Sequence, residues 1–509
     1  MTKDSSKTTP PERVPTGIPG LDLLWRGGLH RGGIYMVVGR PGAGKTILAN
    51  QACFNHVASG GRVLYVTLLT ESHSRMLSHL KTFDFFDPKH VGASLKYFSG
   101  YQALENERLT GLLAFLRRLV RDHKATLLII DGLVTAGDIA QTQLELKKFI
   151  HELQSLIELV RCTAILLTGA DGNADQYAVR TMVDGLIELG FGATGMSIAR
   201  TIEVVKSRGG PVITGRHRFA IADPGITVYP RLEATLGRAP SSRVAGRSPL
   251  SLGIKSLDRM VGGGVRPASV TMLLGSSGTG KTLLGLSFLA AGVGEQEPGL
   301  YLGFSETPAN LLRNAEGLGP ELSRRLRNKL VELSWQPPSD DLIPDAMAEE
   351  VIGLVRNRGI RRLFIDGIGG FTDALLGRER TGKFFAAFGN ELRTLGVATI
   401  FSEQTPDLFA PKIELPLHEL AATMDNIIVL RHVELRARLH RLISVMKMRG
   451  DGTDSSLREF SISERGIEIS PTFDSAEAIL SGIARTRLDP SGAPRTEGNS
   501  PVSRRNRPR

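Results

Sequence analysis

The chain has 509 residues, 41% of them hydrophobic and 23% charged, with a net charge of +11. That length exceeds one ordinary core and predicts two to four domains, while no run approaches the ~18 consecutive apolar residues of a bilayer span. The charge excess points away from a broad nucleic-acid face, because residues 484–509 hold seven arginines against only Asp489 and Glu497.

Residues 1–12 are polar, contain prolines and lack the apolar stretch of a secretory signal, so they read as a flexible arm. Two cysteines, Cys53 and Cys162, match no disulfide framework and no metal spacing. Both sit among apolar residues, which predicts buried thiols and a reducing, cytoplasmic setting. IYMVV (34–38), RVLYVTL (62–68), TLLIID (126–131) and TAILLT (163–168) read as buried strands. Between them, 111–123 and 144–160 have helical spacing. This alternation predicts an α/β fold with a mostly parallel sheet flanked by helices. TIEVVKSRG (201–209) and RHRFAIA (216–222) then read as an antiparallel extension.

The pattern returns 236 residues later. TGIPGLDLLWRGGLHRGGIYMVVGRPGAGKT (16–46) lies over LGIKSLDRMVGGGVRPASVTMLLGSSGTGKT (252–282) without a gap, so Gly17 meets Gly253 and Asp22 meets Asp258. Tyr65 meets Tyr301 in the same register, and the strand ending at Asp131 meets the one ending at Asp366. A duplicated domain pair follows: 13–235 and 250–483, joined by a small-residue linker at 236–249. A basic tail of low apolar content at 484–509 is expected to be disordered.

Each copy carries G-x-x-x-x-G-K-T between a strand and a helix, a phosphate cradle. The predicted nucleotide contacts are Gly39, Pro41, Gly42, Ala43, Gly44, Lys45, Thr46 and Ile47. Their counterparts are Gly275, Ser277, Gly278, Thr279, Gly280, Lys281, Thr282 and Leu283. Lys45 and Lys281 reach toward the β/γ-phosphates of ATP. Thr46 with Asp131, and Thr282 with Asp366, are placed to hold Mg²⁺.

Hydrolysis also needs a carboxylate to orient or deprotonate water. Glu306 follows the strand GLYLGFS and suits that role. The gapless register sets Thr70 opposite it, with Glu71 one residue later, on the other face if the strand persists. Glu71 serves as a base only if the strand has ended or bends. Alternatively, Thr70 or Ser72 simply caps the next helix. Farther on, Lys206/Arg208 and Lys447/Arg449 recur as K-x-R pairs on strands, where alternate residues share a face. They can present paired cations to the γ-phosphate of a neighbouring subunit, or simply form a solvated face.

Tandem phosphate loops with K-x-R-G strands resemble the KaiC family of RecA-like ATPases, over about residues 13–483. The resemblance implies two RecA-like domains, a homo-hexamer of two stacked rings, ATP between subunits, and a regulatory partner protein. It also implies that Lys206, Arg208, Lys447 and Arg449 complete the neighbour's site. This sequence departs from the family in two places. The adjacent glutamates after the second strand correspond to Leu69-Thr70 and Ser305-Glu306. Where some relatives autophosphorylate a Ser-Thr pair, this chain has Ala421-Ala422, with Thr423 close by. Alanine has no hydroxyl to phosphorylate, so the resemblance carries ATP binding but not the known autokinase activity.

A DNA motor is the second reading, yet it requires basic loops after the core strands. The segments 169–180 and 403–419 are instead acidic on balance and would repel a phosphate backbone, leaving only the basic tail to favour nucleic acid. The third reading is an ATP-binding scaffold with little turnover.

Overall fold

The computed structural model describes residues 12–69, 73–170, 179–194, 197–236, 248–317, 319–337, 339, 341–405, 418–435, 438–449, 454–464 and 466–470. Thr70, Glu71 and Ser72, most of the linker and the basic tail lie outside them, so the readings made for those segments have no structural counterpart here.

Among the described residues each copy forms one nine-stranded sheet. The first contains β1 (Ile34–Gly39), β2 (Val63–Thr67), β3 (Leu95–Ser99), β4 (Leu127–Asp131), β5 (Thr163–Thr168), β6 (Gly185–Thr194), β7 (Ser197–Ser207), β8 (His217–Ala222) and β9 (Gly225–Tyr229). Their spatial order is β9-β8-β7-β6-β1-β5-β4-β2-β3. The second copy contains β10 (Val270–Gly275), β11 (Gly299–Gly303), β12 (Val331–Trp335), β13 (Arg362–Asp366), β14 (Ala398–Gln404), β15 (Asn426–Leu435), β16 (Arg438–Lys447), β17 (Arg458–Ser463) and β18 (Gly466–Ile469). The order β12-β11-β13-β14-β10-β15-β16-β17-β18 mirrors the first sheet. In both, the strands from the phosphate-loop strand outward to one edge are parallel, and the last three pairings are antiparallel. This is the duplicated α/β pair expected from the repeat, in the tandem RecA-like arrangement that the family resemblance implies.

The continuous apolar runs are explained by burial on both faces. Along β1, Ile34, Met36 and Val38 join a cluster with Leu112, Leu116 and Ile150, whereas Tyr35 and Val37 join Leu48, Ala52 and Cys53 on the other side. Each such side chain removed from water contributes roughly 1.5–3 kcal/mol, so a polar residue at any of these positions would be costly. Both cysteines are buried and free, and burial pushes both thiols up.

Local chemistry sets the helix starts. Thr142 caps the helix Gln143–Val160, its hydroxyl accepting from the Glu145 amide at 3.2 Å, while Glu145 accepts from the Gln141 amide at 2.9 Å. The helix predicted over 111–123 is part of a longer element, Tyr101–His123, that bends where Arg108 takes a φ of 58°. The Arg108 guanidinium donates to the Ile139 carbonyl at the bend.

The copies touch through a polar hinge and an apolar plug. Leu232, in the short helix Leu232–Thr235, is buried among Val270, Phe385 and Phe388 of the second core. Beside it, Arg380 donates to both Glu233 carboxylate oxygens at 2.8 and 3.0 Å, and to Asp345 Oδ1 at 2.9 Å. The Leu232 amide also donates to Asp345 Oδ1 at 3.0 Å, and Arg218 on β8 donates to the Leu342 carbonyl at 2.9 Å.

Candidate functional site

Parallel strands place their loops at one edge, so β1 and β10 deliver the two phosphate loops to the carboxyl ends of their sheets. The loops end in helices Lys45–Ala58 and Lys281–Gly294. Gly44 and Gly280 take φ values of 99° and 100° at the helix starts, a left-handed conformation that side chains resist. Gly42, at φ 77°, has nothing within 4 Å of where a Cβ would lie, leaving open space over the loop for an anion. Gly39, Pro41, Ala43 and Ile47, with Gly275, Ser277, Gly278, Thr279 and Leu283, complete the two turns at matching positions. The cradles fit phosphate: unpaired amides at a helix start, a lysine at its first position and a threonine at its second.

The lysines hold their loops in shape. Lys45 Nζ donates to the carbonyls of Gly39 at 2.6 Å and Arg40 at 3.1 Å. Lys281 donates likewise to Gly275 at 2.6 Å and Ser276 at 2.9 Å. Burial lowers both ammonium pKa values, opposed by Asp131 at the first site and by Asp366 and Glu403 at the second.

Asp131 and Asp366 end β4 and β13, as expected, and each is held by a tyrosine of a neighbouring strand, β2 or β11. Tyr65 Oη donates to Asp131 at 2.6 Å, and Tyr301 Oη to Asp366 at 3.2 Å. The Asp366 carboxylate also accepts from Thr282 Oγ1 at 2.7 Å and Ser402 Oγ at 2.7 Å. Thr282 and Asp366, both hard oxygen donors, are therefore brought together as the Mg²⁺ reading requires. Thr46 occupies the corresponding second position of its helix. Tyr65 and Tyr301 showed in the sequence only as register matches. Ser402 gave no signal, because its role depends on the β13–β14 pairing.

Glu306 lies three residues past β11 and just before Thr307, whose hydroxyl caps the helix Pro308–Glu316. It accepts from Asn314 Nδ2 at 2.9 Å, and its charge is felt at the Tyr301 hydroxyl. That places it on the Asp366 side of the second loop.

The K-x-R cations are not brought to their own loops. Lys206 is opposite Leu186, which pairs with Met36, three residues back from Gly39. Lys447 is opposite Ile427, which pairs with Met272, three residues back from Gly275. At ~3.3 Å per residue, each lysine stands about 10 Å behind the strand end that leads to its loop. The side chains also reach backward. Lys206 and Arg208 converge on the Thr181 carbonyl at 2.6 and 2.9 Å. Lys447 donates to the Ala421 and Met424 carbonyls at 3.0 and 2.6 Å, and Arg449 pairs with Asp425 at 2.9 Å. Thr423 donates its hydroxyl to the Leu420 carbonyl at 2.9 Å.

No helix among the described residues is long and apolar enough to cross a membrane. The profile of a family described as "ATPase: KaiC" matches residues 14–233 and 250–473. The chain is 28% identical to "Circadian clock oscillator protein KaiC" of Picosynechococcus sp. over 92% of each chain. It is 27% identical to the protein of the same name from Rippkaea orientalis, over 94% of this chain and 93% of that one. It is also 28% identical to "Circadian clock oscillator protein KaiC 1" of Synechocystis sp., over 92% and 91%. With two phosphate loops in matching sheets and profile matches across both copies, the chain belongs to the KaiC ATPase family.

Proposed function

We propose that this ATPase is a ring-forming regulatory protein whose second site turns over most of the ATP, while the first mainly holds nucleotide and neighbouring copies together. The observation that carries the reading is the separation of each K-x-R pair from its own phosphate loop. A site so divided is completed by the cations of an adjacent copy, and such a head-to-tail contact forms a ring where its rotation closes, as the likeness to KaiC supports. The likeness to KaiC supports a homo-hexamer, a cytoplasmic setting, and an output read by a partner protein as a change of ring conformation. The units are 13–235 and 250–483, linked by 236–249 and flanked by the arm 1–12 and the basic tail.

At each site the loop amides and Lys45 or Lys281 bind the β/γ-phosphates of ATP, and Mg²⁺ would be held by Thr46 with Asp131 or by Thr282 with Asp366. The metal supplies charge neutralisation on the phosphate oxygens. Glu306 orients and deprotonates the water at the second site. Glu71 fills that role at the first site only if the strand has ended or bends before it, and β2 ends at Thr67; turnover is assigned to the second site because Glu306 stands in the gapless register where the first copy has Thr70.

Separate Lys45→Ala and Lys281→Ala variants test the division of labour. Lys281→Ala is expected to lose about tenfold or more of phosphate release while still enlarging with ATP on sizing. Lys45→Ala is expected to keep most turnover per assembled particle and lose ATP-dependent assembly. The opposite pattern would reverse the assignment.

A further inference from the structure

A cavity of about 670 Å³ opens beside the second site, and it holds a carboxylate that the catalytic reading above does not use. Its lining includes Ser305, Asp366, Asp373 and Glu403 from the second copy, with Arg218 reaching in from the first. Glu403 is the sixth residue of β14, the strand lying between Asp366-bearing β13 and loop-bearing β10. It is opposite Leu274, one residue before Gly275, and the Thr405 amide donates to the Gly275 carbonyl at 3.2 Å. The register thus fixes Glu403 at the base of the phosphate loop.

The described residues of the first copy place a different side chain at this position. Thr168 holds the same station, opposite Val38 one residue before Gly39. The carboxylate at this strand end therefore distinguishes the two sites, as Glu306 does.

We propose that Glu403 is a second water-holding carboxylate of the second nucleotide site, accepting one hydrogen bond of the attacking water while Glu306 accepts the other. The inference rests on the second site being the one that turns over. Two acceptors fix both O–H bonds of the water and leave a lone pair facing the γ-phosphorus. As the water oxygen bonds to phosphorus, the bond to the β,γ-bridging oxygen breaks and its electron pair leaves with ADP. The proton directed at Glu306 passes to that carboxylate. The proton directed at Glu403 stays on the new phosphate.

Every charged group facing Glu403 bears on its ionisation. Burial first, then the Asp373 charge, push its carboxyl up to about 7, opposed by the Gly369 amide and Lys281. Asp366 and Arg218 border the same cavity. The ionised carboxylate is the stronger acceptor and presents no O–H of its own to the water, so turnover should rise as pH increases through this range. Glutamine matches the shape of the protonated acid, which the site already tolerates near neutral pH.

The test is steady-state ATP hydrolysis by the full chain and its Glu403→Gln variant from pH 6 to 8.5, with Lys281→Ala as control. The expected result is a kcat about tenfold lower, KM within about twofold, and a flat profile where the wild type rises. A kcat within about twofold of wild type, or a lowered kcat with the rise intact, overturns the proposal. If KM also moves, Glu403→Asp decides: it should retain the rise, and losing it counts against the proposal. A Lys281→Ala variant that hydrolyses ATP normally would sink the second-site reading itself, a different failure.

Discussion

Glu306→Gln is expected to lower phosphate release by about 10²-fold or more with nucleotide affinity nearly unchanged, the loss typical of removing a general base. Glutamine keeps the side-chain length and can still accept from Asn314 Nδ2, which now sits 2.9 Å from the carboxylate. The cap of the following helix depends on Thr307 and is untouched by the change. What disappears is the capacity to take a proton beside Asp366 and its Tyr301 partner. The measurement is radiolabelled ATP hydrolysis alongside equilibrium nucleotide binding. Turnover within about threefold of wild type would remove Glu306 from the reaction.

Arg380→Met should be the most destabilising single change at the junction between the copies, by about 3–5 kcal/mol. Asp345 is fully buried, and burial pushes its carboxyl up against the opposing Arg380 charge. For Arg380 itself, burial disfavours the cation, yet the bonds to Glu233 and the charge of Asp345 more than offset this and hold it protonated. Methionine would leave Asp345 and Glu233 facing each other without their shared cation. The Leu232 amide donates to the same Asp345 carboxylate, so a shift of that side chain should loosen the apolar plug as well. Chemical denaturation would show the loss as a lowered midpoint. Adding Asp345→Leu should recover part of it, because a neutral pair of similar volume avoids the unpaired buried charge. A shift below about 1 kcal/mol for Arg380→Met would mean that water or another cation reaches the cluster.

Much of the fold was legible in the sequence because its signals are local. A strand buried on both faces must be apolar throughout, and IYMVV or LLIID announces itself that way. The phosphate loops carry glycines at positions that require positive φ, so spacing and geometry coincide. Asp131 and Asp366 were legible through the repeat. Ser402 and Glu403 were not assigned to the site, since their nearness to Asp366 and the loop arises from pairing β14 with β13 and β10, strands far apart in sequence. The Arg380–Glu233–Asp345 cluster was likewise invisible: its members are scattered, and each alone reads as an ordinary surface charge. The backward reach of the K-x-R cations also required the sheet register, because alternation gives a shared face but not the end of the sheet it serves.

The central claim is that a working second site is shared between copies, and mixing two inactive variants tests it most directly. Glu306→Gln retains its cations, and Lys447→Ala/Arg449→Ala retains its loop and base. If subunits exchange at random in a 1:1 mixture, about a quarter of the interfaces pair an intact loop and Glu306 with intact neighbouring cations. Phosphate release should then recover to about a quarter of wild type, far above either variant alone. A mixture no more active than the average of its two components would place the cations and the loop in one chain's own site, contradicting the shared-site account.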